Sequence, residues 1–351
     1  MTRLEYYKPL DGVRGLAALM VMWFHFEWTG DGTLMKFIMK TAVYGQTGVA
    51  LFFVLSGFLI TRILLANKQN STHYFLNFYI RRSLRIFPLY FLFLFIYYFV
   101  IPLIYHYPAI PFGQQVYYWT YLQNFAMTFG WGEKGPAHFW SLSVEEHFYL
   151  FWPFIIYFMG LRNIKRTILF LIGLSIILRI VLVHAGYPVF YWTFTNMDSL
   201  AMGALMAVFE SENALTGKTN TVYLKIVAYG LFPIMIPLWL LYGGTQNPTI
   251  QVIKPLLIIS FYYLLIFSVI RPHRNILLKR FFSNGFLLLT GKISYGLYVF
   301  HPLVFWILST TFLSDHLLLN FVASFIASYG VALTSFYLYE KPILTLKKKF
   351  E

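Results

Sequence analysis

Residues 44–65 read YGQTGVALFFVLSGFLITRILL, and Arg62 is the only charged side chain among them. A helix of about 20 mainly apolar residues crosses the hydrocarbon core of a bilayer, so this stretch predicts a membrane span. Working outward, similar apolar runs lie at 13–29, 84–105, 144–161, 167–184, 194–209, 222–242, 251–270, 286–309 and 317–339. Several contain Gly or Pro, which membrane helices tolerate where neighbours satisfy the freed backbone groups. The expected fold is all-α, a polytopic membrane protein of about ten transmembrane helices.

Composition points the same way. Of the 351 residues, 59% are hydrophobic and 11% charged, against roughly 45–50% apolar and 25% charged in soluble domains. A soluble enzyme, a disordered tail and a nucleic-acid binder are excluded. With no cysteine, so are disulfides, thiolate metal sites and Cys nucleophiles. The net charge of +14 is sided. Arg81, Arg82 and Arg85, then Arg162, Lys165 and Arg166, then Lys218 and Lys225, then Arg271, Arg274, Lys279 and Arg280, and finally Lys347, Lys348 and Lys349 all fall on the side of the N-terminus. The other side holds Lys36, Lys40, Lys134 and Lys254. Positive loops mark the cytoplasm, so both termini are expected there. The longest loop, 106–143, is then external, with the composition of a lid or interfacial segment. The whole of 1–351 reads as one transmembrane domain.

Ionisable groups inside spans are costly and therefore informative. The first span carries Asp11, Arg14 and His25. Arg14 and His25 are eleven residues apart, which on a helix puts them on one stripe about 16 Å apart. Arg14 sits at the cytoplasmic mouth and His25 deeper, in the outer half. Two readings of His25 are open: a buried histidine bonded to a neighbouring helix, or a general acid–base group. Asp11 lies about 21 Å from His25 along the helix, so its partner is expected to be Arg14, or else it caps the helix start. Glu145 and Glu146, in FWSLSVEEHFYLFWP, lie at the outer entrance of the fourth span, at a depth similar to that of His25. One of them either orients the imidazole or caps the helix N-terminus. Arg81, Arg82 and Arg85, in RRSLRIFPLY, suit phosphate oxygens, and anionic lipid headgroups would attract them equally. Ser56 and Gly57 read as a packing pair, the Ser bonding a backbone carbonyl. Asp198 is expected to satisfy neighbouring helices or Arg179, and His301 to line a cavity. No metal-ligand, Walker or Rossmann pattern occurs.

The series LDGVRGLAALMVMWFH, FFVLSGFLITR, RRSLRIFPLY, FWSLSVEEHFYLFWP, MDSLAMGALMA, GKISYGLYVFHPL and YEKP resembles the bacterial acyltransferase 3 family of integral membrane proteins. The motifs occur in family order and cover essentially the whole chain. The resemblance implies an O-acyltransferase of the bacterial cytoplasmic membrane with acetyl-CoA as the usual donor and a surface carbohydrate or lipid-linked glycan as acceptor. It puts the essential catalytic role on His25, paired with Arg14. It puts the arginine motif on Arg82 and Arg85, and the W-S-L-x-x-E motif on Trp140, Ser141 and Glu145. This chain has Asn196 where many members carry Arg. It is also expected to lack the fused SGNH-type domain that some members carry.

Together these readings predict a reaction. Arg14, Arg82 and Arg85 hold the phosphates of acyl-CoA at the inner mouth, and the acceptor hydroxyl enters from outside. His25 takes the hydroxyl proton, and Glu145 sets its tautomer and stabilises the imidazolium. The coenzyme is a co-substrate, with no bound cofactor or metal. The competing class is a transporter or flippase without chemistry of its own, which the lack of a visible inverted repeat disfavours.

Overall fold

The structure is a computed structural model that describes residues 4–68, 73–212, 247–271, 275–311 and 316–347. The span expected at 222–242, with Arg3, Lys218, Lys225, His273, Arg274, Lys348 and Lys349, lies outside the described residues.

The described residues are helical, with no strand among them. In chain order they form α1 (Pro9–His25), α2 (Thr33–Gly45), α3 (Gly48–Asn67), and α4 (Tyr74–Phe95), which runs through a π turn (Ile96–Val100) into α5 (Ile101–Tyr105). Next come α6 (Phe112–Trp119), α7 (Gln123–Phe129), α8 (Trp140–Phe158), α9 (Leu161–His184), α10 (Thr193–Ser211) and α11 (Pro248–Ile270). The last are α12 (Ile276–Phe282), α13 (Gly285–Lys292), α14 (Ser294–Ser309), and α15 (Leu317–Ser335), which continues through a second π turn (Phe336–Glu340) into α16 (Lys341–Thr345).

Among the described residues, five continuous helical stretches are long and apolar enough to cross a membrane: Thr33–Asn67, Tyr74–Tyr105, Leu161–His184, Pro248–Ile270 and Leu317–Thr345. The sequence differs instructively elsewhere. Where the first span was expected at 13–29, α1 starts at Pro9, whose fixed φ suits a first turn, and stops at His25, because Phe26 is extended (φ −73°, ψ 130°). The run at 286–309 is interrupted at Ile293, giving a short α13 and the shorter apolar helix α14. The helix of the third expected span begins ten residues early, at Tyr74, so Arg81 and Arg82 join Arg85 within α4 rather than lying ahead of it. The 106–143 segment holds α6, α7 and a 3₁₀ turn at Ala137–Phe139, and the Tyr98 hydroxyl donates to the Lys134 carbonyl (2.7 Å).

The chain divides into two compact units. The first comprises Met1–Tyr6, Ala50–Tyr74 and Ile96–Asn275; the second comprises Tyr7–Val49, Phe75–Phe95 and Ile276–Glu351.

In the first unit, α3 and α10 meet backbone to backbone. A Cβ on Gly57 would overlap the Leu200 carbonyl, and one on Gly203 would overlap the Val54 carbonyl. Small residues that let membrane helices approach in this way are the expected interface chemistry. Ser56 bonds the Tyr149 hydroxyl, not a backbone carbonyl, because Tyr149 on α8 is buried against the same face. Trp152 Nε1 donates to Thr61 Oγ1 (2.7 Å). Arg62 ties α3 to α10 through Glu210 (2.7 Å) and reaches the Glu5 carbonyl (2.6 Å). Gly203→Val is expected to lower stability by about 1–3 kcal/mol or more, since the overlap is with backbone that cannot rotate away. A thermal melt of the purified protein by fluorescence-detected gel filtration measures it.

In the second unit, α1 is the central element. It packs on α13, where a Cβ on Gly291 would strike the Asp11 carbonyl, and on α2, where one on Gly45 would strike the Met20 carbonyl. Its C-terminal end enters an aromatic cluster of Trp23, Phe26, Trp28, Phe305, Phe321 and Phe325. Two tyrosines tie α4 into this unit: Tyr295 donates to the Ile86 carbonyl (2.7 Å) and Tyr339 to the Pro88 carbonyl (3.3 Å).

Candidate active site

The second unit brings His25 and His301 together. His25 is the last residue of α1, and His301 lies in the middle of α14. His25 Nδ1 is 3.0 Å from the Val21 carbonyl and 3.0 Å from His301 Nε2. His301 Nδ1 is 2.8 Å from the Leu297 carbonyl. His301 is fully buried, packed by Tyr298 and Phe305, while His25 is half-buried. The sequence singled out both residues but not their meeting. The signal was available: in the expected topology the first and ninth spans run parallel, and the two histidines sit twelve and fifteen residues into them, at matching depth.

The same unit holds the cationic candidates. Arg14 pairs with Asp11 (3.0 Å), at the far end of α1 from His25, as the i, i+3 spacing predicts. On α4, Arg81 Nε donates to the Asn77 carbonyl (3.2 Å), Arg82 is half-buried and Arg85 is exposed. Burial, with Arg85, Arg82 and Arg81 nearby, pushes the Lys347 ammonium down to about 7. Glu340 lies within electrostatic reach of Arg85 and accepts from Ser335 Oγ (3.1 Å). The sequence treated Lys347 only as a topological anchor; nothing local revealed that the tail folds back to the arginines.

The first unit holds the remaining candidates. Trp140 opens α8, buried against Phe53, Phe190 and Tyr191 at centroid distances of 5.9, 4.6 and 5.8 Å. Ser141 Oγ donates weakly to the His138 carbonyl (3.5 Å). Glu145 is half-buried in the second turn of α8. Asp198 pairs with Arg179 (2.5 Å), both buried, and its other oxygen accepts from Ser199 N (2.9 Å). Arg179 also donates to the Thr195 carbonyl. Asn196 donates to the carbonyls of Phe190 and Trp192 (2.9 and 2.8 Å), shaping the turn into α10. A polar relay that the sequence reading missed runs beside it: Thr193 Oγ1 lies 2.7 Å from His147 Nδ1 and accepts from Asn124 Nδ2 (2.6 Å). Among the described residues no group of three or more His, Asp or Glu has the arrangement to hold a metal ion.

Residues 7–339 match the acyltransferase 3 family, described as an acyltransferase domain. The chain belongs to that family, and it is a multi-pass membrane protein. It is 29% identical over 328 residues to the O-acetyltransferase OatA of Staphylococcus aureus, covering 86% of this chain and 51% of that protein. It is 26% identical over 373 aligned residues to the peptidoglycan O-acetyltransferase OatA of Listeria monocytogenes, covering 97% and 56%. The chain thus spans about half the length of the curated relatives it matches. No solved structure matches it.

Proposed function

We propose that this chain is an O-acetyltransferase of the bacterial cytoplasmic membrane, acting as one transmembrane domain of about ten spans with both termini inside. It moves an acetyl group from acetyl-CoA, bound on the cytoplasmic side, to a carbohydrate hydroxyl. The names of its relatives make peptidoglycan the first acceptor to test. The observation that carries this reading is that one compact unit holds both the His25 imidazole and the cations Arg14, Arg82, Arg85 and Lys347.

Arg82 and Arg85 grip the coenzyme phosphates, and guanidinium forks suit such oxygens. Arg14, held by Asp11, marks the inner end of α1. His25 lies about 16 Å along the same helix, a span the extended pantetheine arm can bridge. His25 Nε2 takes the acceptor hydroxyl proton. The oxygen forms a bond to the thioester carbonyl carbon, the carbon–sulfur bond breaks, and the proton passes from the imidazolium to the departing thiolate. Trp140 and Ser141 are assigned to shaping the start of α8, and Asp198 to holding α10 against α9.

Purified protein given acetyl-CoA should release free thiol only when a glycan acceptor is present. Acceptor-independent release, or none with any glycan, would contradict the reading. The cationic end has its own test. A lysine held at about 7 gains its proton as pH falls from 8 to 6, so positive charge at this end rises. Acetyl-CoA binding by the wild type is therefore expected to gain on Lys347→Gln over that interval, measured by calorimetry at each pH; parallel affinities at every pH would remove Lys347 from the site.

A further inference from the structure

The hydrogen-bond partners of His25 and His301 fix where each ring carries its proton. A carbonyl oxygen only accepts hydrogen bonds. The Leu297 carbonyl, 2.8 Å from His301 Nδ1, therefore requires the proton of His301 on Nδ1. In neutral His301 the other nitrogen, Nε2, then carries a lone pair. The Val21 carbonyl, 3.0 Å from His25 Nδ1, likewise requires a proton on that nitrogen. The two requirements agree at the contact between the rings: His25 Nδ1–H donates to His301 Nε2 (3.0 Å) while sharing its proton with the Val21 carbonyl. The reverse assignment, His301 donating to His25 Nδ1, would set that nitrogen's lone pair against the Val21 carbonyl oxygen.

We infer that His301 is the positioning residue of the transfer reaction. Through His25 Nδ1 it holds His25 in the tautomer whose Nε2 is the base, and it accepts the Nδ1–H bond that strengthens when His25 becomes imidazolium. This rests on His25 being the base, as proposed above. It gives a second neutral imidazole the place that a carboxylate holds in a serine-protease triad. The tautomer of a functional histidine is set by the bond its other nitrogen makes, and here that bond comes from α14. His301 itself stays neutral. The proton moves from the acceptor hydroxyl to His25 Nε2 and on to the thiolate, and His301 gains and loses none.

The location suits the role. His301 is fully buried on a helix, fixed by its own backbone bond and by Phe305 and Tyr298. An acceptor locked in this way holds the geometry of the base through the reaction.

Two measurements test the inference on the full-length protein. In the first, ring nitrogens are read by 15N spectroscopy of histidine-labelled protein in detergent, with H25Q and H301Q used to assign the signals. His25 is expected to carry its proton on Nδ1 with Nε2 bare, and His301 also on Nδ1. A His25 protonated on Nε2 in the resting protein would overturn the inference, whatever the activity. In the second, kcat and KM for acetyl-CoA are measured with soluble peptidoglycan fragments. H301F is expected to lose about 10²-fold or more in kcat with little change in KM, the order lost when an orienting group is removed. H301Q, whose amide reaches the position of Nε2, should recover part of that loss. H301N, one methylene shorter, should not. Should H301F aggregate, the Gln–Asn difference decides: equal kcat for the two would mean that His301 only fills space. Failure of the underlying reading looks different, because H25Q would then retain transfer.

Discussion

Replacing His25 with Gln is expected to cut acetyl transfer by about 10²–10⁴-fold, the contribution of a positioned general base. Gln matches the ring in reach and polarity but cannot take a proton. Because His25 terminates α1 and is only half-buried, the substitution leaves the packing of α1 on α13 and α2 untouched. The protein should insert, purify as a single species and still bind acetyl-CoA through Arg14, Arg82 and Arg85. The loss should appear in kcat, with KM for the donor near its original value, the pattern of a group acting in the transition state. A variant that binds donor normally and transfers at the wild-type rate would remove His25 from the chemistry.

Asp198→Ala is expected to be the most damaging change to stability, costing about 3–5 kcal/mol. Asp198 and Arg179 are almost completely buried and 2.5 Å apart. Removing the carboxylate leaves a guanidinium charge inside the α9–α10 hairpin with, among the described residues, only the Thr195 carbonyl to answer it. Removing both charges is different, because buried ion pairs are often replaced by apolar residues of similar volume without loss. The double variant Arg179→Met, Asp198→Leu should therefore melt close to the wild type. If it does, and transfer is also preserved, the pair is structural. If the double variant is stable and inactive, the pair serves the reaction as well.

These two residues differ in how far the sequence revealed them. Asp198 and Arg179 sit on consecutive helices joined by a short turn, so antiparallel packing puts them opposite one another, and the pair is legible from the two span assignments alone. The histidine pair joins helices 276 residues apart, and no local pattern carries that information. Only depth in the membrane hinted at it. The break at Ile293 was hidden for a related reason. The run at 286–309 is mostly apolar, and the interruption is marked only by Lys292, the last residue of α13, and by Gly291, which lets α1 approach. The fold-back of Lys347 onto the arginines of α4 was invisible because a run of lysines past the last span already had a sufficient reason to be there. The class of fold, the family and the individual polar residues could be read; the contacts that make a site of them come from tertiary packing.

In the proposed reaction, donor and acceptor reach one imidazole from opposite faces of the membrane. Membrane vesicles with the cytoplasmic face outward, loaded with soluble peptidoglycan fragments and given acetyl-labelled acetyl-CoA outside, measure this directly. Label should accumulate on the enclosed glycan with the wild type and not with His25→Gln. Glycan labelled only when it shares the donor's side of the membrane would contradict the claim.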